Sequence, residues 1–175
     1  MTGREQRVWE LDGVLLDVLS ELGAPFERVE AGAYAVQLRG ARRPSTWVWL
    51  IAGAQAVTVE AFVLHVIPNA VPDPLRLHAH LLRRNLGLRD VHYAVDDVGD
   101  VFLVGSLPEP SAVLVDRVLG EVLQLLERDT EALLALAYGD RLSRDPELDA
   151  KVRYDGAGRR PAGTPEWAAR RDVRR

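Results

Sequence analysis

The amino-acid sequence predicts an α+β fold: an antiparallel meander sheet of about five strands with helices packed against it, in the order α-β-β-β-α-β-β-α. Three observations carry this expectation. Two long stretches repeat apolar residues at helical spacing. The segments between them alternate apolar and polar residues or run apolar over short spans, which is strand patterning. Residues 72–111 then join both kinds of pattern, with a stop or start signal at each junction.

The first helix covers about residues 5–22, where Val8, Leu11, Leu15, Val18 and Leu22 share one face and Gly23 and Pro25 end the pattern. Residues 26–29 and 34–38 read as one strand pair or a bent strand, broken at Ala31-Gly32-Ala33. The basic loop 39–45 follows. Residues 46–51 and 57–67 read as two strands whose apolar content on both sides suits a central place in the sheet.

Asp73-Pro74 is a helix start: the carboxylate accepts a bond from the first turn, and proline there loses no bond it needs. Leu75, Ala79, Leu82 and Leu86 recur at helical spacing, with Leu81 widening the stripe. Gly87 is a natural left-handed stop. Val91, Tyr93 and Val95 alternate with polar or small residues; the acidic turn 96–100 leads into the apolar run 101–104, which predicts a hairpin. Ser111 caps the longest helical pattern, with Asp129-Thr130 as the expected break and Gly139 as its end. Two regions are therefore expected: a domain over residues 1–139 and a charged Pro/Gly/Arg-rich tail over residues 140–175, partly disordered.

A chain of 175 residues fits one domain plus a tail and buries a sizeable core without staples. It has no cysteine, which excludes disulfides and thiolate metal sites. No apolar run reaches membrane-spanning length, no apolar signal core opens the chain, and cytoplasm is the expected compartment. The net charge of −4 is uneven. Residues 140–175 carry ten basic and seven acidic side chains, a surplus of +3 that leaves −7 on residues 1–139. An acidic body disfavours nucleic acid as a partner.

No residue set specifies a reaction. His78 and His80 are two apart on a helix and diverge, while His65 and His92 sit on strands with no acidic or imidazole partner at ligand spacing. No serine lies in a G-x-S-x-G turn, and no phosphate-binding glycine loop is present. Asp96, Asp97 and Asp100 lack the ligand count of a calcium loop and read as a turn. No catalytic residue, metal or cofactor is expected, and the chain reads as a non-enzyme. The candidate partner-binding residues are Trp47 and Trp49, two apart on one strand face, with Arg42 and Arg43 in the adjoining loop. Core packing competes with that reading of the tryptophans. The alternative function is a small-molecule binder or enzyme with a pocket near Trp47 and Trp49.

The order of elements, together with VTVEAFVLHVIP (57–68), LHAHLLRRN (77–85), VHYAVDDVGDVFLVGSLP (91–108) and SAVLVDRVLGEVLQLL (111–126), resembles the type III secretion chaperone-like fold. More narrowly, it is similar to the YbjN family of bacterial sensory transduction regulators, over about residues 9–139. The resemblance brings no catalytic residues. It implies an acidic, homodimeric, non-enzymatic body, chaperone-like or regulatory, that holds a segment of a partner protein. The arginine-rich tail departs from that compact pattern.

Overall fold

Four strands follow the first helix in an unbroken meander before a second helix intervenes. In the computed structural model, which describes residues 3–43, 45–67 and 70–154, the order is α1 (Gly3–Leu22), β1 (Phe26–Glu30), β2 (Ala33–Leu38), β3 (Thr46–Ala52) and β4 (Val57–Leu64). Then come α2 (Pro74–Asn85), β5 (Val91–Val95), β6 (Val101–Leu107), α3 (Ala112–Tyr138), α4 (Arg141–Arg144) and α5 (Pro146–Tyr154). One six-stranded antiparallel sheet results, ordered β1-β2-β3-β4-β6-β5.

The α+β class is as expected, with one strand more. The extra strand comes from residues 26–38, which form a true hairpin and not a bent strand. Gly32 turns it with φ +80°, a conformation that disfavours side chains bearing a Cβ. The second hairpin departs from a simple meander, because β6 and not β5 lies against β4. Burial explains the swap. Strand β6 is apolar on both sides and suits a central place, whereas β5 exposes His92 and Val95 and suits a rim.

Helices α1, α2 and α3 pack on one face of the sheet. Their buried side chains, among them Leu15, Leu19, Leu77, Leu81, Val118 and Leu126, join Tyr34, Val36, Val48, Leu50, Val59 and Leu103 in a continuous core. Asp73 accepts a bond from the Arg76 N–H at 3.0 Å with Pro74 in the first turn, and Ser111 caps α3 through the Leu114 N–H. Gly87, expected as a left-handed stop, is not one. Helix α2 ends through short turn bonds from Leu86, Gly87 and Leu88 to the carbonyls three residues back. Its last residue, Asn85, instead turns its amide onto the free edge of β5, where it donates to the Tyr93 carbonyl at 3.0 Å and accepts from the Tyr93 N–H at 2.7 Å.

Helix α3 runs through Asp129-Thr130 without the expected break, because both residues are buried and Asp129 is held by partners on other elements. Past Gly139, where aperiodic tail was expected, residues 141–154 form two further helices. Val152 of α5 is fully buried in the common core, and its carbonyl accepts from the His65 N–H at 3.3 Å. The rest of the expected tail, residues 155–175, lies outside the described residues.

Candidate partner-binding surfaces

Helix α2 is apolar on two sides. Leu77 and Leu81 face the core, while Leu75, Leu82 and Leu86 are 79%, 69% and 89% exposed. The leucines that the helical spacing picks out, Leu75, Leu82 and Leu86, therefore face outward. Three leucines at positions i, i+7 and i+11 line one side of the helix, with the half-buried Ala79 between them. Scattered exposed leucines are ordinary; a contiguous helical stripe marks a contact surface.

The second surface is the sheet face turned away from the helices. Alternation along β3 sends Val48 and Leu50 into the core and leaves Trp47 and Trp49 half-buried on the other side. Cross-strand register sets Ala35, Trp49, Glu60, Val104 and His92 in one row across five strands. Phe62 and Phe102 are directly opposed on β4 and β6. Their rings meet edge to face with centroids 5.6 Å apart, an arrangement aromatic quadrupoles favour. Ile51 of β3 adds a further apolar side chain on the same side. Core packing thus explains Val48 and Leu50 and not the two tryptophans.

Glu60 stands in the middle of this face with no hydrogen-bond or ion-pair partner among the described residues. Burial pushes its carboxyl up to about 7. The consequence for stability has a definite sign. The raised value favours the neutral form in the folded chain, so stability is undiminished below about 4.5 and declines as pH rises from there through about 7. Glu60→Gln, neutral throughout, is expected to melt with the wild type near pH 4.5 and above it at about pH 8 in parallel thermal melts.

Arg42 and Arg43 lie in the loop between β2 and β3, and that loop is fastened to α3. The Glu127 carboxylate accepts the Arg42 N–H at 2.9 and 3.0 Å and the Arg43 N–H at 2.9 Å. These bonds, Arg43 first, hold Glu127 below the usual carboxylate range. Gly40 allows the approach, since a Cβ there would sit 2.1 Å from Glu127 Oε1. The Arg43 guanidinium donates to the carbonyls of Phe62 and Val63, and that of Arg42 to the Glu127 carbonyl. Both arginines therefore engage their own chain, beside the end of β3 that carries Trp47.

His65 has an acidic neighbour that its sequence context hides. Asp100, thirty-five positions later, places Oδ1 2.5 Å from His65 Nδ1 and also accepts the Val66 N–H. The pair is buried where β4 leaves the sheet, and it joins strand ends rather than lining a cleft. Among the described residues no three His, Asp or Glu side chains converge as a metal site would need. A cleft of about 460 Å³ lies between the start of α1 and the β3–β4 turn, lined by Val8, Trp9 and Ala52 among others. Another, of about 510 Å³, is lined by Arg42, Gln124, Glu127 and Arg128. Neither includes Trp47 or Trp49. No helix among the described residues is long and apolar enough to cross a membrane.

Comparison with known proteins adds to this geometry. The family model for YbjN, described as "Putative bacterial sensory transduction regulator", matches residues 12–135. An uncharacterized protein of Mycobacterium tuberculosis (strain H37Rv) is 40% identical over 117 residues, covering 65% of this chain and 61% of the relative. One of Mycobacterium leprae is 39% identical over 114 residues, covering 63% and 59%. The matched stretch thus spans about three fifths of the length of these curated relatives. Among solved structures, a chain of the ExsC–ExsE complex is similar with a TM-score of 0.51 and 17% identity, over 71% of this chain and 93% of that one. A chain of the HopA1–SchA chaperone–effector complex is similar with a TM-score of 0.51 and 13% identity, over 71% and 95%. These structural likenesses establish a shared fold, and the chaperone-like α+β fold expected from the sequence is the one observed.

Proposed function

The chain belongs to the YbjN family, and from that membership we propose that it is a non-catalytic, dimeric, chaperone-like regulatory module that holds a segment of a partner protein. One observation carries the reading: the molecule keeps two apolar surfaces outside its core, on opposite sides of the sheet, while Asp12, Arg84 and Asp129 are spent on internal ties. The α2 stripe is assigned to a second copy of the chain, because a single straight stripe on one helix pairs readily with itself about a two-fold axis. The face bearing Trp47 and Trp49 is assigned to the partner segment, since broad tryptophan side chains with few rotatable bonds make strong anchors. A chain without cysteines suits a cytoplasmic setting.

Light scattering after size exclusion tests the pairing. The wild type is expected at twice 19.4 kDa. Leu82→Asp, placed on an exposed position, leaves the fold intact and raises the dimer dissociation constant at least about a hundredfold. A wild-type chain that elutes at 19.4 kDa at high concentration rules the dimer out. The partner assignment is tested by a photoreactive side chain at position 49, installed in the native cell. One discrete protein product, absent when the same group replaces the exposed Asp17 on α1, is expected.

A further inference from the structure

We propose that the sheet face turned away from the helices selects its partner segment by a single positive charge: an arginine or lysine of that segment pairs with Glu60, and apolar side chains flanking it rest on Trp47, Trp49 and Phe102. The proposal rests on the reading that this face holds a partner segment, and it adds the chemistry of what is held.

The register neighbours of Glu60 are Trp49 on β3 and Val104 on β6, neither of which can neutralise a carboxylate. The row that contains it runs Ala35, Trp49, Glu60, Val104, His92 and holds no arginine. The arginines of the loop leading into β3, Arg42 and Arg43, already donate to main-chain carbonyls of their own chain. A carboxylate among apolar rings without a partner is costly, and a cation brought to it offsets that cost. The carboxyl is pushed up to about 7 by this burial, which is how a desolvated and unpaired acid behaves.

The surroundings of Glu60 favour the same guest. Aromatic faces attract cations as well as apolar groups, and Trp does so best. Along β4, Glu60 and Phe62 point to the same side and lie about 6.5 Å apart, the repeat of alternate residues in a strand. An extended segment has the same repeat. With its positive residue over Glu60, the side chain two positions away falls over the Phe62–Phe102 pair. An acidic or uniformly polar segment gains nothing here, so the face discriminates by charge as well as by shape.

The test uses the full-length chain, immobilised, and a phage library of random short peptides as the probe. Wild type, Glu60→Gln and Trp49→Ala are compared after their melts confirm folding. Peptides enriched on the wild type are expected to carry an arginine or lysine flanked by apolar residues. A synthetic copy of the best peptide is expected to bind Glu60→Gln at least about tenfold more weakly. Peptides that depend on Trp49 yet carry no positive charge, or that bind Glu60→Gln equally well, overturn the charge selection and leave the binding face standing. Peptides indifferent to both positions overturn both readings. A synthetic peptide of residues 155–175, which is rich in arginine, is the competing occupant; if it outcompetes every selected peptide, the face belongs to the chain's own segment and the proposal fails. Dissociation of the dimer by Trp49→Asp would assign the face to a second copy, and the proposal fails in that case too.

Discussion

Asp129→Ala is expected to lower the folding stability by about 3 kcal/mol, the order of loss when a buried carboxylate leaves its hydrogen-bonded partners behind. Asp129 lies on α3 and gathers three donors from three places. Arg84 of α2 reaches it at 2.5 Å, the Tyr93 hydroxyl of β5 at 2.8 Å, and Arg128 beside it at 2.9 Å. Burial alone would raise its pKa. The bonds from Arg128, Arg84 and Tyr93 together outweigh that and hold it below the ordinary carboxylate range. The linkage sign follows. A depressed carboxylate contributes fully above its unfolded value near about 4, and the contribution fades as pH falls through the lower folded value. Urea unfolding should therefore show the full gap between variant and wild type at neutral pH and a narrowing gap in acid. A gap that stays constant into strong acid would mean that the lost packing, not the charge, set the cost.

The second large effect is expected at Asp12. Its side chain is buried under α1 and accepts the Gly32 N–H at 2.9 Å and the Tyr34 hydroxyl at 2.6 Å, with Arg28 of β1 closing the other oxygen. Asp12→Ala strands a buried main-chain donor and leaves the phenol only its longer bond, 3.1 Å, to the main-chain carbonyl of residue 12, a loss of about 2 kcal/mol. Arg28 is less affected, because it is partly exposed and water can replace its partner. Tyr34→Phe removes only the phenol's share and should cost about 1 kcal/mol. Because the bond to Gly32 pins the β1–β2 turn, hydrogen exchange in the Asp12 variant should quicken in β1 before it does in β4. Uniform loss of protection would contradict a local role.

What is legible in the sequence and what is not follows a physical divide. Local signals hold: Asp73-Pro74 and Ser111 begin helices where a capping oxygen is needed, and Gly32 turns a chain that no other residue turns as easily. Periodicity reveals the helices but not their orientation. Helix α2 carries leucines on two sides, and a repeat of 3.6 residues cannot say which side meets the sheet. The long-range polar ties are also hidden. Asp12 looks like an ordinary solvent-facing helix residue and Asp129 like a helix break until Tyr34 and Tyr93 arrive from strands, and the partner of His65 is thirty-five positions away. The two tryptophans are legible as a pair on one face, since strand alternation alone sets that. Glu60 is inconspicuous, because one acid in an apolar strand reads as the polar half of an alternation. Only the register, which sets Trp49 and Val104 on either side of it, makes it stand out.

The amide of Asn85 has a consequence for crowding. A rim strand offers its unsatisfied main chain to any extended polypeptide that drifts by, which is how sheets grow into fibrils. At the midpoint of β5 that offer is withdrawn, because the side chain of Asn85 occupies both the N–H and the carbonyl of Tyr93 as a neighbouring strand would. In the pairing proposed for the leucine stripes, which lie on the same helix, two copies are thereby kept from zipping main chain to main chain at that border. The molecule can be adhesive through its side chains without being prone to polymerise.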